Sequence, residues 1–276
     1  MSLSGYSLST DFLNCSGRRL FAVNFVPQAV APRASILFLQ PFAEEMHKSR
    51  RTVAQQARAF AEAGYTVMLL DLSGCGDSSG DIADASWADW LQDAAQAVSV
   101  LRQRHQAPVV LWGLRLGALL ACDLSRQTDS SVYDRLLLWQ PALNGEQHID
   151  QFLRVELAGQ MLKGESGFDR AALWADLRSG RSLHVAGYEL TPGLALDIAG
   201  VRLGDLTPGC AVHWLDIGGT GAQEPPLPSR TVTERWRTQS VPVQWRSVEG
   251  EAFWRNTDAP DSPALLSASV EECSDL

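Results

Sequence analysis

Several things are scarce in this chain, and each scarcity removes a class of function. Basic residues are outnumbered: 23 Lys and Arg against 32 Asp and Glu leave a formal net charge of −9. Sequence-independent nucleic-acid binding rests on a basic surface, so it is excluded as a main role. An anionic membrane surface is disfavoured for the same reason. The five cysteines, Cys15, Cys75, Cys122, Cys210 and Cys273, are scattered, odd in number and without a C-x-x-C spacing. That argues against a disulfide framework or zinc site and for reduced thiols in a cytoplasm. No uncharged apolar run approaches the ~20 residues that span a bilayer. The opening Met1-Ser2-Leu3-Ser4-Gly5-Tyr6 has no basic region followed by an apolar core, so no signal peptide is visible. Neither H-E-x-x-H nor H-x-x-E-H occurs. Gly74-Cys75-Gly76 does not continue into the full G-x-G-x-x-G spacing onto a helix. No metal and no cofactor is therefore expected.

What is present suits one large α/β domain spanning 1–276: 45% hydrophobic and 20% charged residues. Residues 7–13 and 19–26 read as a hairpin around Asn14-Cys15-Ser16-Gly17. Strand and helix signals then alternate, with strands at 34–39, 65–71, 109–112 and 135–140 and helices over 48–63, 86–104 and 116–125. Ser86 caps the second helix, whose apolar Trp87, Trp90, Leu91, Ala94, Val98 and Leu101 recur at helical spacing. Strands apolar throughout are buried on both faces, which with intervening helices implies a mainly parallel sheet. Residues 142–209 break the rhythm with helices near 147–163 and 169–178 and then a Gly-rich stretch, the place of a cap or lid. Strands near 211–217 and 241–247, a helix near 230–237 and a last helix from Ser262-Pro263 complete the chain.

The most informative segment is Val109-Val110-Leu111-Trp112-Gly113-Leu114-Arg115-Leu116-Gly117-Ala118. A buried strand, a Gly-x-x-x-Gly turn and an apolar helix form the context of the nucleophile elbow, G-x-S-x-G, of α/β-hydrolases. Upstream, Leu37-Phe38-Leu39-Gln40-Pro41-Phe42 is a strand followed by a loop where such proteins place one oxyanion-hole amide. Asp71-Leu72-Ser73-Gly74-Cys75-Gly76-Asp77-Ser78-Ser79-Gly80 resembles their D-x-R-G-x-G-x-S-x-G loop. An α/β-hydrolase fold is expected.

A narrower resemblance runs from roughly Leu8 to Leu266. Pro41-Phe42-Ala43-Glu44-Glu45-Met46-His47-Lys48-Ser49-Arg50-Arg51, Trp112-Gly113-Leu114-Arg115-Leu116-Gly117, Ala186-Gly187-Tyr188-Glu189-Leu190 and Gly250-Glu251-Ala252-Phe253-Trp254 resemble the second of two hydrolase-like proteins associated with exosortase A systems. These are bacterial proteins encoded near machinery for exopolysaccharide production and surface-protein sorting. The resemblance implies a hydrolase, with arginine at the elbow as a family trait.

The residues themselves argue against serine chemistry. Arg115 occupies the nucleophile position, and a guanidinium cannot be deprotonated to attack a carbonyl. The triad order is Ser, acid, His, yet the last histidine is His213 and the final loop offers Glu249, Glu251 and Phe253. The loop near 218–224 lacks an acid at the usual place, although Asp216 and Glu224 are near. Cys75 needs a base or a lowered pKa to act and reads as a loop residue; Cys122 reads as core. Ser78 and Ser79 are expected to bond their own loop backbone, His47 to be solvated and His213 structural.

Arg115 sits at a helix N-terminus and so requires an anion opposite. Either Glu44, Glu45, Asp216, Glu249 or Glu251 pairs with it, or a ligand carboxylate or phosphate does. The candidate catalytic residues are thus Arg115 and Glu251, and the candidate ligand-binding residues are Gln40, Phe42, Glu44, Glu45, Arg115, Leu116 and Trp139. Among nine tryptophans, Trp87, Trp90 and Trp112 read as core, while Trp174, Trp236 and Trp254 lie in or near the cap and late loops, where aromatics can line a sugar or acyl pocket. Two functions are expected to compete. One is an ester or thioester hydrolase with the Gln40–Phe42 loop and Leu116 amides as oxyanion donors. The other is a non-catalytic binding or scaffold protein with an anion-binding pocket around Arg115. Its partner is a small molecule, an acyl or saccharide compound carrying negative charge.

Overall fold

The computed structural model describes residues 5–28, 31–127, 132–162, 169–219, 221–256, 258 and 260–276, with side chains 155, 156 and 158–162 left aside. Ten-residue strands β1 (Tyr6–Cys15) and β2 (Arg18–Pro27) form the expected hairpin. Its two-residue turn, Ser16 at φ 50° and Gly17 at φ 87°, has the positive dihedrals of the tight turns whose twist matches paired strands. There follow β3 (Ser35–Leu39), α1 (Glu44–Glu62), β4 (Thr66–Leu70), α2 (Trp87–His105), β5 (Val109–Leu114), α3 (Leu116–Gln127) and β6 (Arg135–Trp139). After an insertion come β9 (Ala211–Gly218), α7 (Leu227–Thr238), β10 (Val243–Glu249) and α8 (Pro263–Glu271).

Eight strands make one sheet in the order β1-β2-β4-β3-β5-β6-β9-β10. Only β1–β2 and β2–β4 are antiparallel; β4 through β10 run parallel. Side chains alternate across each strand, so the two faces of the sheet bury separate sets. Leu37, Leu39, Leu111, Leu136, Leu138 and Trp214 pack with α2 and α3. Ile36, Phe38, Trp112, Leu137, Trp139 and Leu215 pack on the other face with α1 and α8.

The insertion between β6 and β9 holds α4 (Gly145–Leu162), α5 (Arg170–Arg178), a small hairpin of β7 (Leu183–Val185) and β8 (Tyr188–Leu190), and α6 (Pro192–Gly200). The hairpin and α6 stand where the sequence reads only as Gly-rich. Ala186 and Gly187, at φ 51° and 87°, make a second tight turn. Thr191 Oγ1 caps α6 by accepting from Leu194 N at 3.4 Å, with Pro192 at the first helical position. A second difference concerns α1. It starts at Glu44, earlier than the expected Lys48, and so places Glu44 and Glu45 in its first turn, where the helix dipole favours carboxylates. No described helix is long and apolar enough to cross a membrane.

Candidate functional site

The elbow forms at the C-terminal edge of the sheet. Arg115 links β5 to α3 at φ 56°, a left-handed conformation that costs a non-glycine residue of the order of 1–2 kcal/mol. The turn is held by its neighbours. A Cβ on Gly113 would lie 2.4 Å from Ala118 Cα, and one on Gly117 would lie 2.0 Å from the Leu39 carbonyl oxygen, so only glycine lets α3 approach this closely. Arg115 N donates to Trp139 O at 3.0 Å, and its own carbonyl accepts from Ala142 N at 3.0 Å.

Despite its charge, Arg115 is only 8% exposed. Four segments enclose it. Its Nε donates to Glu45 Oε1 at 3.3 Å, its Nη2 to Gln151 Oε1 at 3.0 Å and its Nη1 to Gln140 O at 3.4 Å. The guanidinium carbon lies 5.5 Å from the centroid of the Trp254 ring, a cation–π distance. Of the five carboxylates the sequence offers, Glu45 is thus the partner. Glu249 and Glu251 are exposed. Asp216 is buried but accepts from Trp214 Nε1 at 2.7 Å, Trp245 Nε1 at 2.8 Å and Ser229 Oγ at 3.4 Å.

A histidine completes the cluster. His148 on α4 is buried, with Nε2 4.0 Å from Glu45 Oε2. Burial, and then the nearby Arg115 charge, push its pKa down to about 3, so it is a neutral imidazole at pH 7. Burial also raises the Glu45 pKa, Arg115 opposing and Glu44 adding to the rise. Glu45 Oε2, Glu44 Oε2 and His148 Nδ1 are all buried without a hydrogen-bond partner among the described residues. Unsatisfied buried polar atoms are rare, and each requires an explanation.

A cavity of about 320 Å³ opens beside this cluster, lined by Phe42, Glu45, His148, Gln151 and Trp254, with Lys48, Arg154 and Arg255 also around it. Those three cations form no ion pair among the described residues. A second cavity of about 240 Å³ lies toward Arg115, Gln140, Asp216 and Ser229, with His148 and Gln151 common to both walls.

The loop before α1 adds backbone donors. Ala43 holds φ 51° and ψ −124°, and neither its N–H nor that of Leu116 finds an acceptor among the described residues. Both residues line a small recess of about 10 Å³ with Gln40, Phe42 and Cys75, about the volume one water needs. Cys75 itself is unsuited to attack, because burial and the adjacent Asp71 push its thiol up to about 12.

The candidate residues therefore divide. Arg115, Glu44, Glu45, Phe42, Gln40 and Leu116 gather at the elbow. Trp139 does not: it is fully buried in the core between the sheet and helices α1 and α8, its Nε1 donating to Ser269 Oγ at 2.9 Å and its ring against Trp112 and Phe253. Being at a strand's end did not fix which face it occupied. Glu251 is exposed, and Trp254 from the same loop meets Arg115 in its place. Ser78 Oγ does bond its own loop, at Asp71 O, and also ties that loop to β2 by accepting from Phe21 N. His47 is exposed, while the buried His213 contacts Glu272 at the far end of the sheet. His148, Gln151 and Gln140 were missed. They carry no local motif and reach the site only through the placement of α4 and of the turn after β6.

Residues 31–165 match the family described as serine aminopeptidase, S33. No curated protein sequence matches the chain. Est1E from Butyrivibrio proteoclasticus, solved with ferulic acid bound, superposes with a TM-score of 0.70 at 15% identity, covering 96% of this chain and 98% of that one. A putative hydrolase from Agrobacterium vitis S4 gives 0.62 at 16% identity, covering 98% of each chain. An α/β serine hydrolase without a lid from Xanthomonas campestris gives 0.58 at 13%, covering 98% of this chain and 94% of that one. At such identities the likeness shows the fold, which is that of the α/β-hydrolases.

Proposed function

We propose that the protein hydrolyses a small ester or thioester by direct attack of water, without an acyl-enzyme. The elbow offers no nucleophile, since Arg115 cannot lose its proton. The observation that carries the reading is the buried Glu45 carboxylate. Its pKa is raised and one of its oxygens is unbonded, and it lines the cavity with a neutral imidazole, while Phe42 separates that cavity from the small recess lined by Ala43 and Leu116, whose backbone N–H groups are unpaired. A carboxylate tuned upward is the better general base near neutral pH. In this reading Glu45 takes a proton from water, and the resulting hydroxide adds to the carbonyl carbon. The N–H groups of Ala43 and Leu116 hold the oxyanion. The C–O or C–S bond then breaks, and the leaving alkoxide or thiolate takes the proton back from Glu45. Arg115 keeps Glu45 in place and favours its ionised form. Lys48, Arg154 and Arg255 suit a substrate that carries a negative charge. The sequence resemblance supports a role for this activity beside bacterial exopolysaccharide and surface-sorting systems, and the scattered, odd-numbered cysteines support a cytoplasmic setting.

The test is turnover of activated esters and thioesters by wild type and by Glu45→Gln, each shown to be folded. We expect wild-type turnover that Glu45→Gln abolishes, and no labelling by a serine-directed fluorophosphonate. A folded wild type that turns over nothing would overturn this reading. It would leave the second one, a binding protein, which the Glu45–Arg115 ion pair filling the nucleophile seat favours. Thermal-shift screening with small anions would then follow.

A further inference from the structure

A further cavity, whose wall includes none of Arg115, Glu45 and His148, opens beside the N-terminal hairpin. A cavity of about 290 Å³ lies between α1 and strands β2, β3 and β4. Its walls are Phe21, Val23, Phe25, Phe38, Val53 and Leu69. It exists because the β1–β2 hairpin carries the sheet past the cover that α1 provides. On this face of the hairpin the register pairs Leu8 with Phe25, Thr10 with Val23 and Phe12 with Phe21, and β4 adds Leu69 opposite Val23. An apolar strip about 14 Å long thus runs from Phe21 to Phe25. Leu8 and Phe12 stay 61% and 47% exposed, two of the four large hydrophobic side chains left exposed among the described residues. An exposed apolar patch of this kind marks a surface with an occupant.

The rim says which occupant. Arg50 and Arg58, two turns apart on α1, border the cavity with Asp71. Arg58 is exposed and makes no ion pair among the described residues, and Arg50 reaches Asp71 only at 3.7 Å. In a chain of net charge −9, two available guanidiniums beside an elongated apolar slot fit a tail with an anionic head, because guanidinium forks match carboxylate and phosphate oxygens. We propose that this cavity binds a single medium-length acyl or alkyl chain bearing a carboxylate or phosphate head group, the chain along the β2 strip and the head at Arg50 and Arg58.

Calorimetric titration with decanoate and with decyl phosphate, below their micelle concentrations, tests this, with decanol as the neutral control. We expect saturable binding of at least one anion, and the stronger of the two identifies the head group. Ala54→Trp on the cavity wall should weaken it at least tenfold. Arg58→Glu, an exposed substitution that leaves the core alone, should weaken the anion about tenfold and leave decanol unchanged. Glu45→Gln at the elbow should leave it unchanged. The proposal is overturned by no saturable anion binding to wild type, by binding indifferent to Ala54→Trp, or by decanol binding as tightly as the anions.

Discussion

His148 and His213 are both buried histidines beside a glutamate, and the two pairs are built in opposite ways. His213 Nδ1 meets Glu272 Oε2 at 2.5 Å, and the hydrogen bond holds the Glu272 carboxyl below its usual range. His148 stands 4.0 Å from Glu45; burial holds the glutamate above its usual range and the histidine far below its own. The first pair joins β9 to α8 near the chain's end and is satisfied. The second joins α4 to α1 over the elbow and leaves atoms of both partners unbonded. Closed polar pairs rigidify, whereas open ones in a buried setting keep titratable groups at unusual pKa values, which is what sites of chemistry do.

The largest expected effect comes from removing the cation that makes the open pair tolerable. Arg115→Met leaves Glu45 buried without its counter-ion and should lower stability by about 3–5 kcal/mol in urea denaturation. Arg115→Met combined with Glu45→Leu should recover most of that loss. If the single variant is as stable as wild type, the elbow cluster is no more than a surface ion pair.

Acidification should then separate the two histidines. The folded pKa of His148, about 3, is below its ordinary 6.5, so between these values the unfolded chain binds more protons and stability falls as pH falls. The slope contributed is at most about 1.4 kcal/mol per pH unit. Glu45 works the other way. Its folded pKa is raised above 4.5, so its contribution is present below 4.5 and is lost as pH rises through the folded value. Denaturation midpoints measured from pH 6 to pH 4 should accordingly flatten in His148→Gln and steepen in Glu45→Gln. Equal slopes in all three proteins would dissolve the contrast.

At the closed pair, Glu272→Gln should cost about 1.5 kcal/mol at pH 7, the worth of a charge-assisted hydrogen bond. The lowered folded pKa of Glu272 means that this stabilisation exists above 4.5 and disappears as pH falls through the folded value, so the variant and wild type should converge in acid. The smallest effect is expected at Trp254. Trp254→Leu removes the ring over Arg115 and should cost about 1 kcal/mol beyond the packing loss, which a double-mutant cycle with Arg115→Met would isolate.

Much of this arrangement was legible in the residues and some was not, for physical reasons. The parallel sheet could be read because its strands are apolar without interruption. The elbow could be read because two glycines at fixed spacing between strand and helix have a steric cause. Glu45 was one of five carboxylates that loop placement allowed near Arg115, and choosing among them needed the true start of α1. Trp139 was misplaced because a strand buried on both faces gives no polar clue to parity. Leu136 and Leu138 face one side, Leu137 and Trp139 the other. His148 could not be found at all from local pattern. An insertion helix can present any of its faces to the sheet, and nothing in the chain near residue 148 records which one it presents. The α6 helix was hidden because Pro192, Gly193 and Gly200 bracket it, and as punctuation they read as loop.

The strain at Ala43 sets how cheaply this loop can vary. At φ 51° and ψ −124° it occupies a region of backbone space that is nearly the preserve of glycine. Alanine and glycine codons differ at a single base, so a relaxed version of this loop is one nucleotide away, on a path that keeps the chain folded throughout. The bend is imposed by the body of the domain and not by the residue that suffers it. A turn fixed in that manner can pass through generations of changing side chains.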